Sequence, residues 1–169
     1  AAAQNALAQS ARVEGDLDTA EPLYVEMLGL ARTLGEPSLT ASALLNLAMV
    51  AICRGSTAKA RALLQEALAI ARDVDSTQAV QSTLEVCAGL AASRDDWVQC
   101  LRFYGTADAL ARSTGLQRDP ADQAFLLPRV DAARTALGAA AAAAAERAGG
   151  ACAYPQALAA AEEWLVKLG

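Results

Sequence analysis

The sequence predicts an all-α chain of antiparallel helical hairpins stacked side by side and closed by a C-terminal helical cap, on three observations. Hydrophobic types make up 54% of the 169 residues while aromatics make up only 4%, so alanine and leucine, both strong helix formers, must do the packing. Turn-forming residues stand 40 apart at Gly15, Gly55 and Asp95. Residues in register with those turns agree in type: Leu7-Ala8, Leu47-Ala48 and Cys87-Ala88 before each turn, then Ala20, Ala60 and Cys100, Tyr24, Leu64 and Tyr104, Met27, Ala67 and Ala107, and Leu30, Ile70 and Leu110 after it. Small side chains at the recurring alanine positions let two helix backbones approach to the near end of the usual ~8–10 Å. The turn needs a residue that tolerates positive φ, which glycine does freely and aspartate better than most.

The first helix is expected from about Ala3 to Glu14. The opening Ala1-Ala2-Ala3 supplies no N-cap, so this start is expected to fray or to be cut from a longer protein. Asp16 or Asp18 caps a second helix through Leu34, with Ala20, Leu23, Met27, Leu30, Ala31 and Leu34 at three- and four-residue spacing, and Gly35-Glu36-Pro37 ends it. The third helix, from Ser38 or Thr40 to Arg54, the tight turn at Gly55-Ser56 and the fourth helix, from Ser56 or Thr57 to about Asp73, form the middle hairpin. Asp75-Ser76-Thr77 is the next break, and the fifth and sixth helices follow at roughly Thr77–Ser93 and Asp96–Thr114. Residues 1–115 thus hold three hairpins, and 116–169 hold capping helices of the same continuous domain. In the cap, Leu116 to Pro120 is a linker. Pro128 predicts a kink or a break near Leu127, because proline removes a hydrogen bond and clashes with the preceding turn, and a helix then continues to Leu137. The seven alanines Ala139 to Ala145 read either as low-complexity linker or, from their helix propensity, as a short close-packed helix, the reading preferred. Pro155 opens a last helix to about Leu168, whose Leu158, Trp164, Leu165 and Leu168 are expected to cover the open end of the stack.

Composition narrows the function. A net charge of −5 and a pI near 4.7 argue against a nucleic-acid surface, which needs clustered Lys and Arg. No apolar run reaches the roughly 18 residues of a membrane span and no basic-then-apolar leader opens the sequence, so a soluble, cytoplasmic protein without membrane contact is expected. There is no histidine, and Cys53, Cys87, Cys100 and Cys152 are scattered without a Cys-x-x-Cys pair; no zinc site or histidine base is expected, and the thiols read as small buried hydrophobes. Arg94-Asp95-Asp96 and Glu162-Glu163 read as turn and solvated-face charges rather than catalytic carboxylates. Gly149-Gly150 lacks the lysine and hydroxyl of a phosphate loop. No cofactor and no enzymatic activity are expected.

The leucine–small pair, the glycine turn, the alanine five residues later, the aromatic four beyond and the small residue three further on resemble the tetratricopeptide repeat, over roughly Gln4 to Gly115. Such repeats have a period of about 34 residues; the longer spacing here is attributed to longer second helices and linkers. The resemblance implies a right-handed α-α superhelix whose first helices line a concave partner-binding groove. Carried over residue by residue, that groove is Asn5, Gln9 and Arg12 from the first copy, Ser42, Leu45, Met49 and Ile52 from the second, and Ser82, Glu85 and Gly89 from the third. Leu45, Met49 and Ile52 form one helical stripe, either an apolar patch that a partner helix or peptide would bury or a stripe already buried by a neighbouring helix of this chain or of a second copy. Some members grip a peptide carboxylate with several Lys and Asn residues; here only Asn5 and Arg12 have that chemistry.

A second resemblance runs through Asp96-Trp97, Leu101, Tyr104-Gly105, Ala107, Leu110, Arg112, Gly115, Pro120, Arg129, Ala133-Arg134 and Leu137-Gly138. It is similar to the carboxy-terminal repeat region of large bacterial transcriptional regulators that combine an ATPase module with a DNA-binding domain. It implies a protein-interaction scaffold serving as a sensory or assembly domain, bound to another protein or to another region of its own chain, with homodimerisation through the apolar stripe as a variant. The alternative is a small-molecule effector held in the groove. The register itself is testable: Leu47→Ala, at a core position, should cost ~2–5 kcal/mol and Gln9→Ala, on the groove, little; equal small losses in denaturant melts would refute the register.

Overall fold

A computed structural model describes residues 2–169, which leaves Ala1 outside. The described residues form nine helices and no strand: α1 (Ala2–Glu14), α2 (Leu17–Leu34), α3 (Pro37–Cys53), α4 (Thr57–Asp73), α5 (Thr77–Ala92), α6 (Trp97–Thr114), α7 (Pro120–Leu137), α8 (Ala139–Gly150) and α9 (Tyr154–Lys167). The fold is an all-α, tetratricopeptide-like helical repeat, with hairpins α1–α2, α3–α4 and α5–α6.

The turns set the cadence. Gly15, Gly55 and Asp95 have φ of 82°, 73° and 59°, and so do the residues between hairpins, Gly35, Asp75 and Gly115, at 66°, 47° and 71°. A left-handed residue therefore recurs every twenty residues from 15 to 115, where glycine costs nothing and aspartate is among the few side chains tolerated. This corrects the expected source of the long period. The second helices are only in part the longer ones: α2 has 18 residues against 13 described in α1 and α6 has 18 against 16 in α5, but α3 and α4 have 17 each. The connections from α1 to α6 stay short, so the long period lies in the helices and not in the linkers.

Capping follows the sequence in part. Asp16, Ser76 and Asp96 accept the backbone N–H of Thr19, Ala79 and Gln99, and Asp119 that of Ala121. Neither Ser38 nor Thr40 caps α3; it starts at Pro37, whose missing N–H is no loss in a first turn. Asp96 also accepts from the indole Nε1 of Trp164 at 3.1 Å, and Glu162 pairs with Arg72 at 2.9 Å, so both carboxylates join elements together.

Helix α3 buries every residue from Ala43 to Ile52, and α5 every residue from Thr83 to Ala92. A helix apolar on all sides must be covered on all sides. α3 packs on α2, α4 and α5, while α5 packs on α4, α6, α7 and α9 as well as α3. The end of the stack beyond α6 is covered by α7 and α8, not by α9 as the sequence suggested; α9 lies across α4, α5 and α6, with Trp164 edge-on to Phe103 at a centroid distance of 5.4 Å. Pro128 does not break α7, which runs continuously to Leu137. Near the proline, the Phe125 carbonyl accepts a 2.6 Å bond from Arg129 Nη1.

The alanine run is helical and lies tightly on α6. A Cβ added at Gly105 would come within 2.2 Å of the Glu146 carbonyl oxygen, and one at Gly149 within 2.0 Å of the Arg102 carbonyl oxygen. Two glycines on facing helices thus permit backbone-to-backbone contact, and Thr106 Oγ1 donates to the Gly149 carbonyl at 2.8 Å. Gly149→Ala should destabilise by about 1–3 kcal/mol through overpacking. Gly29→Ala, within α2 with nothing near its Cβ, should stabilise by about 0.5–1 kcal/mol. Urea melts of the two variants would show the opposite signs.

Candidate binding site beside helix α7

The face shared by the first helices is occupied by α7. Arg12, near the end of α1, is buried and acts as the anchor: its Nη2 donates to Asp122 Oδ1 at 2.8 Å, Nη1 to the Ala121 carbonyl at 3.4 Å and to Met49 Sδ at 3.2 Å, and Nε to Tyr24 Oη at 3.4 Å. A second ion pair joins α5 to the α6–α7 connection, Arg118 Nε to Glu85 Oε1 at 2.6 Å, with Gln81 Nε2 donating to the same oxygen at 3.2 Å. The guanidinium of Arg118 lies 5.4 Å from the centre of the Tyr104 ring. Between these pairs the Phe125 ring fills the space left by Gly89, where a Cβ would stand 2.4 Å from Phe125 Cε1. Further along, Arg134 Nε binds Glu146 Oε1 at 2.7 Å and ties α7 to α8.

The ten residues assigned to the groove therefore divide. Arg12, Leu45, Met49, Ile52, Glu85 and Gly89 are buried within the chain. The Leu45–Met49–Ile52 stripe is covered, the second of the two alternatives left open by the sequence, and Arg12 and Glu85 are held in ion pairs rather than offered to a partner. Asn5, Gln9 and Ser82 are half-buried and Ser42 is exposed; the Asn5 Oδ1 atom is enclosed without a partner.

What remains open lies between α3, α5 and the start of α7, a cavity of about 200 Å³. Ser38, Ser42 and Gln78 are exposed at its rim, Leu45, Asn46 and Met49 form its floor, and Ser82 and Asp122 stand at its side. The sequence reading missed Asn46 and Asp122. Asn46 is only 5% exposed, and its amide has no hydrogen-bond partner among the described residues. The amide is not sealed in the core: the enclosed unpaired side-chain atoms are Asn5 Oδ1, Gln81 Oε1 and Arg118 Nη2, and Asn46 opens onto the cavity. The signal was present in the register: the matching positions are Ala6 and Val86.

Burial raises the Asp122 carboxyl above its usual value, against the pull of Arg12, and burial raises Glu85 likewise, against Arg118 and Gln81. Of the cysteines, Cys87 and Cys100 are buried with thiols pushed up to about 12 by desolvation. Cys53 is exposed and Cys152 half-buried, so the expectation of four buried thiols fails for these two. No group of three or more His, Cys, Asp and Glu among the described residues is placed to hold a metal ion, and no described helix is long and apolar enough to cross a membrane.

A family model described as tetratricopeptide repeat matches residues 1–73. That stretch is α1 to α4, the first two hairpins, and it supports a tetratricopeptide-like domain. No curated protein and no solved structure gives a significant match to the chain. Repeats of this type generally mediate protein–protein interaction and are typically non-enzymatic scaffolds.

Because folded Glu85 holds its proton more tightly than the unfolded chain does, its ionised form opposes folding above the raised pKa. That opposition fades as pH falls through the raised value toward 4.5. On going from about pH 7 to about pH 4.5, wild-type stability in urea melts should gain more, or lose less, than that of Glu85→Gln. Identical pH responses would mean that Glu85 is not raised.

Proposed function

We propose that the chain is a cytoplasmic protein-interaction module without catalytic activity, serving as the sensory or assembly domain of a bacterial transcriptional regulator. The observation that carries this reading is that the face shared by α1, α3 and α5 accommodates a helix, α7, through a few discrete anchors: the Arg12–Asp122 pair, the Arg118–Glu85 pair and Phe125 over Gly89. A groove that holds a helix of its own chain is suited to a partner helix of the same character, laid in by the same contacts. The likeness of the segment from Asp96 to Gly138 to the repeat region of ATPase-containing regulators supplies the biological setting.

A second reading, in which a small effector binds beside α7, is favoured by the cavity at Asn46 and Asp122. In that case α7 is a fixed wall of the site and the remaining groove does the sensing.

Affinity capture from a bacterial lysate tests the interaction reading, using the wild-type chain and Phe125→Ala, each first shown to be helical by circular dichroism. Loosening α7 should increase retention of a protein that competes for its groove, and a regulator with ATPase and DNA-binding modules is the expected catch. Equal retention would place the contact outside the groove. No specific retention by either form would refute the interaction module.

A further inference from the structure

The cavity beside α7 is asymmetric in a way that specifies a ligand. Asp122 is the sole charged residue of its lining. The guanidinium that neutralises it lies behind it, since the Arg12 side chain is 2% exposed and that of Asp122 is 35% exposed. A molecule entering the cavity therefore meets the carboxylate and not the cation. Asp122 Oδ1 is taken by Arg12, while Oδ2 has no donor among the described residues. Deeper in, the unpartnered amide of Asn46, itself 5% exposed, offers both a donor and an acceptor, and the hydroxyls of Ser42 and Ser82 lie at its sides. Ala41, Leu45, Met49 and Ala79 supply the apolar part of the lining, beside the polar Ser38, Ser76 and Gln78.

Repeat symmetry isolates these features. The Asn46 position is Ala6 in the first hairpin and Val86 in the third, and Ser42 and Ser82 share one register position that is Ala2 in the first. Packing alone is met by small or apolar residues there, so the Asn46 amide exceeds what the repeat requires. The volume, about 200 Å³, falls short of the roughly 300–1,000 Å³ of sites for drug-sized ligands and suits a molecule of about ten non-hydrogen atoms.

We propose that this cavity binds a small primary amine with an apolar body, its ammonium donating to Asp122 and to the Asn46 amide oxygen beside the Ser42 and Ser82 hydroxyls, a proposal that rests on the effector reading given above. The ammonium donates to the free Asp122 oxygen in a charge-assisted bond, and the Asn46 amide gains the partner it lacks within the chain. The apolar body covers Leu45 and Met49. Binding would tie α3 and α5 to the first turn of α7, the segment that Arg12 anchors, and so would tighten the hold of α7 on its groove.

Three probes of one shape separate the alternatives: 2-phenylethylamine, the neutral 2-phenylethanol and the anionic phenylacetate, titrated at constant ionic strength against the isotope-labelled chain and followed by amide chemical shifts. The amine should give saturable shifts at Asn46, Ser82 and Asp122, at least about tenfold tighter than either analogue. Asp122→Asn leaves Arg12 buried without its partner and endangers the fold, so the deciding variant is Asn46→Leu. It keeps the ion pair and should weaken the amine about tenfold or more. Equal binding of the alcohol, or tighter binding of phenylacetate, would overturn the amine class while upholding the effector site. No saturable shift from any probe would overturn both.

Discussion

Helix α3 is buried on every side along most of its length, and the rest of the structure answers to that. Ten consecutive buried residues, Ala43 to Ile52, cannot be sheltered by one hairpin partner, so α4 covers one flank while α2 and α5 cover others. The face that would be a groove in an open array still holds Leu45 and Met49, and the chain closes over them with α7. The same need extends to α5, whose buried run from Thr83 to Ala92 draws in α7 on one side and α9 on another. The C-terminal helices are therefore part of the core of the repeats, and α8 reaches α6 closely enough that two glycines must give up their side chains to it.

The cover is not held by apolar contact alone. Arg12 and Glu85 occupy register positions that hold Ile52 and Leu45 in the middle hairpin, and each is met by an opposite charge on or next to α7. Buried ion pairs add little net stability, because desolvation offsets much of their attraction, but a partner left unpaired is penalised strongly. Such pairs discriminate between docked positions of α7 more than they strengthen any one of them. A slide of α7 by one turn would strand both guanidiniums, whereas a purely apolar seam of leucines and alanines would tolerate it. The polar contacts fix where α7 sits, and through Asp122 they fix the wall of the cavity.

Local rules made the hairpins legible in the sequence. Positive φ, small-residue contacts and the recurrence of Leu7-Ala8, Leu47-Ala48 and Cys87-Ala88 depend on neighbours within one repeat, so counting residues found α1 to α6 nearly to their ends. The twenty-residue cadence was less visible, because Asp75 and Gly35 read as general loop residues until their backbone angles are compared. The placement of α7 was not legible at all. It depends on contacts between residues more than a hundred positions apart, Arg12 with Asp122, and no periodicity connects the two. Arg12 was expected in an open groove and lies beneath α7, since a guanidinium in a groove and one beneath a helix look identical in sequence. Pro128 misled for a related reason: its local cost is real, and a tertiary setting in which α7 packs along α1, α5, α6 and α8 outweighs it.

A repeat offers its own control for separating function from architecture. Positions 8, 48 and 88 are all alanine because two helices touch there, and agreement of that kind reports packing. Positions 5, 45 and 85 are Asn, Leu and Glu, positions 9, 49 and 89 are Gln, Met and Gly, and positions 6, 46 and 86 are Ala, Asn and Val. These belong to the first helices, on or beside the side where α7 docks, and they differ from copy to copy because each copy meets something different there: Glu85 meets Arg118, Gly89 meets Phe125 and Met49 meets Arg12. Each of those departures is explained by a neighbour in the chain. Asn5 and Asn46 are the departures that no neighbour explains: the Asn5 Oδ1 atom is enclosed without a partner, whereas Asn46 opens onto the cavity beside α7, where an amide is a feature that packing alone would not have introduced.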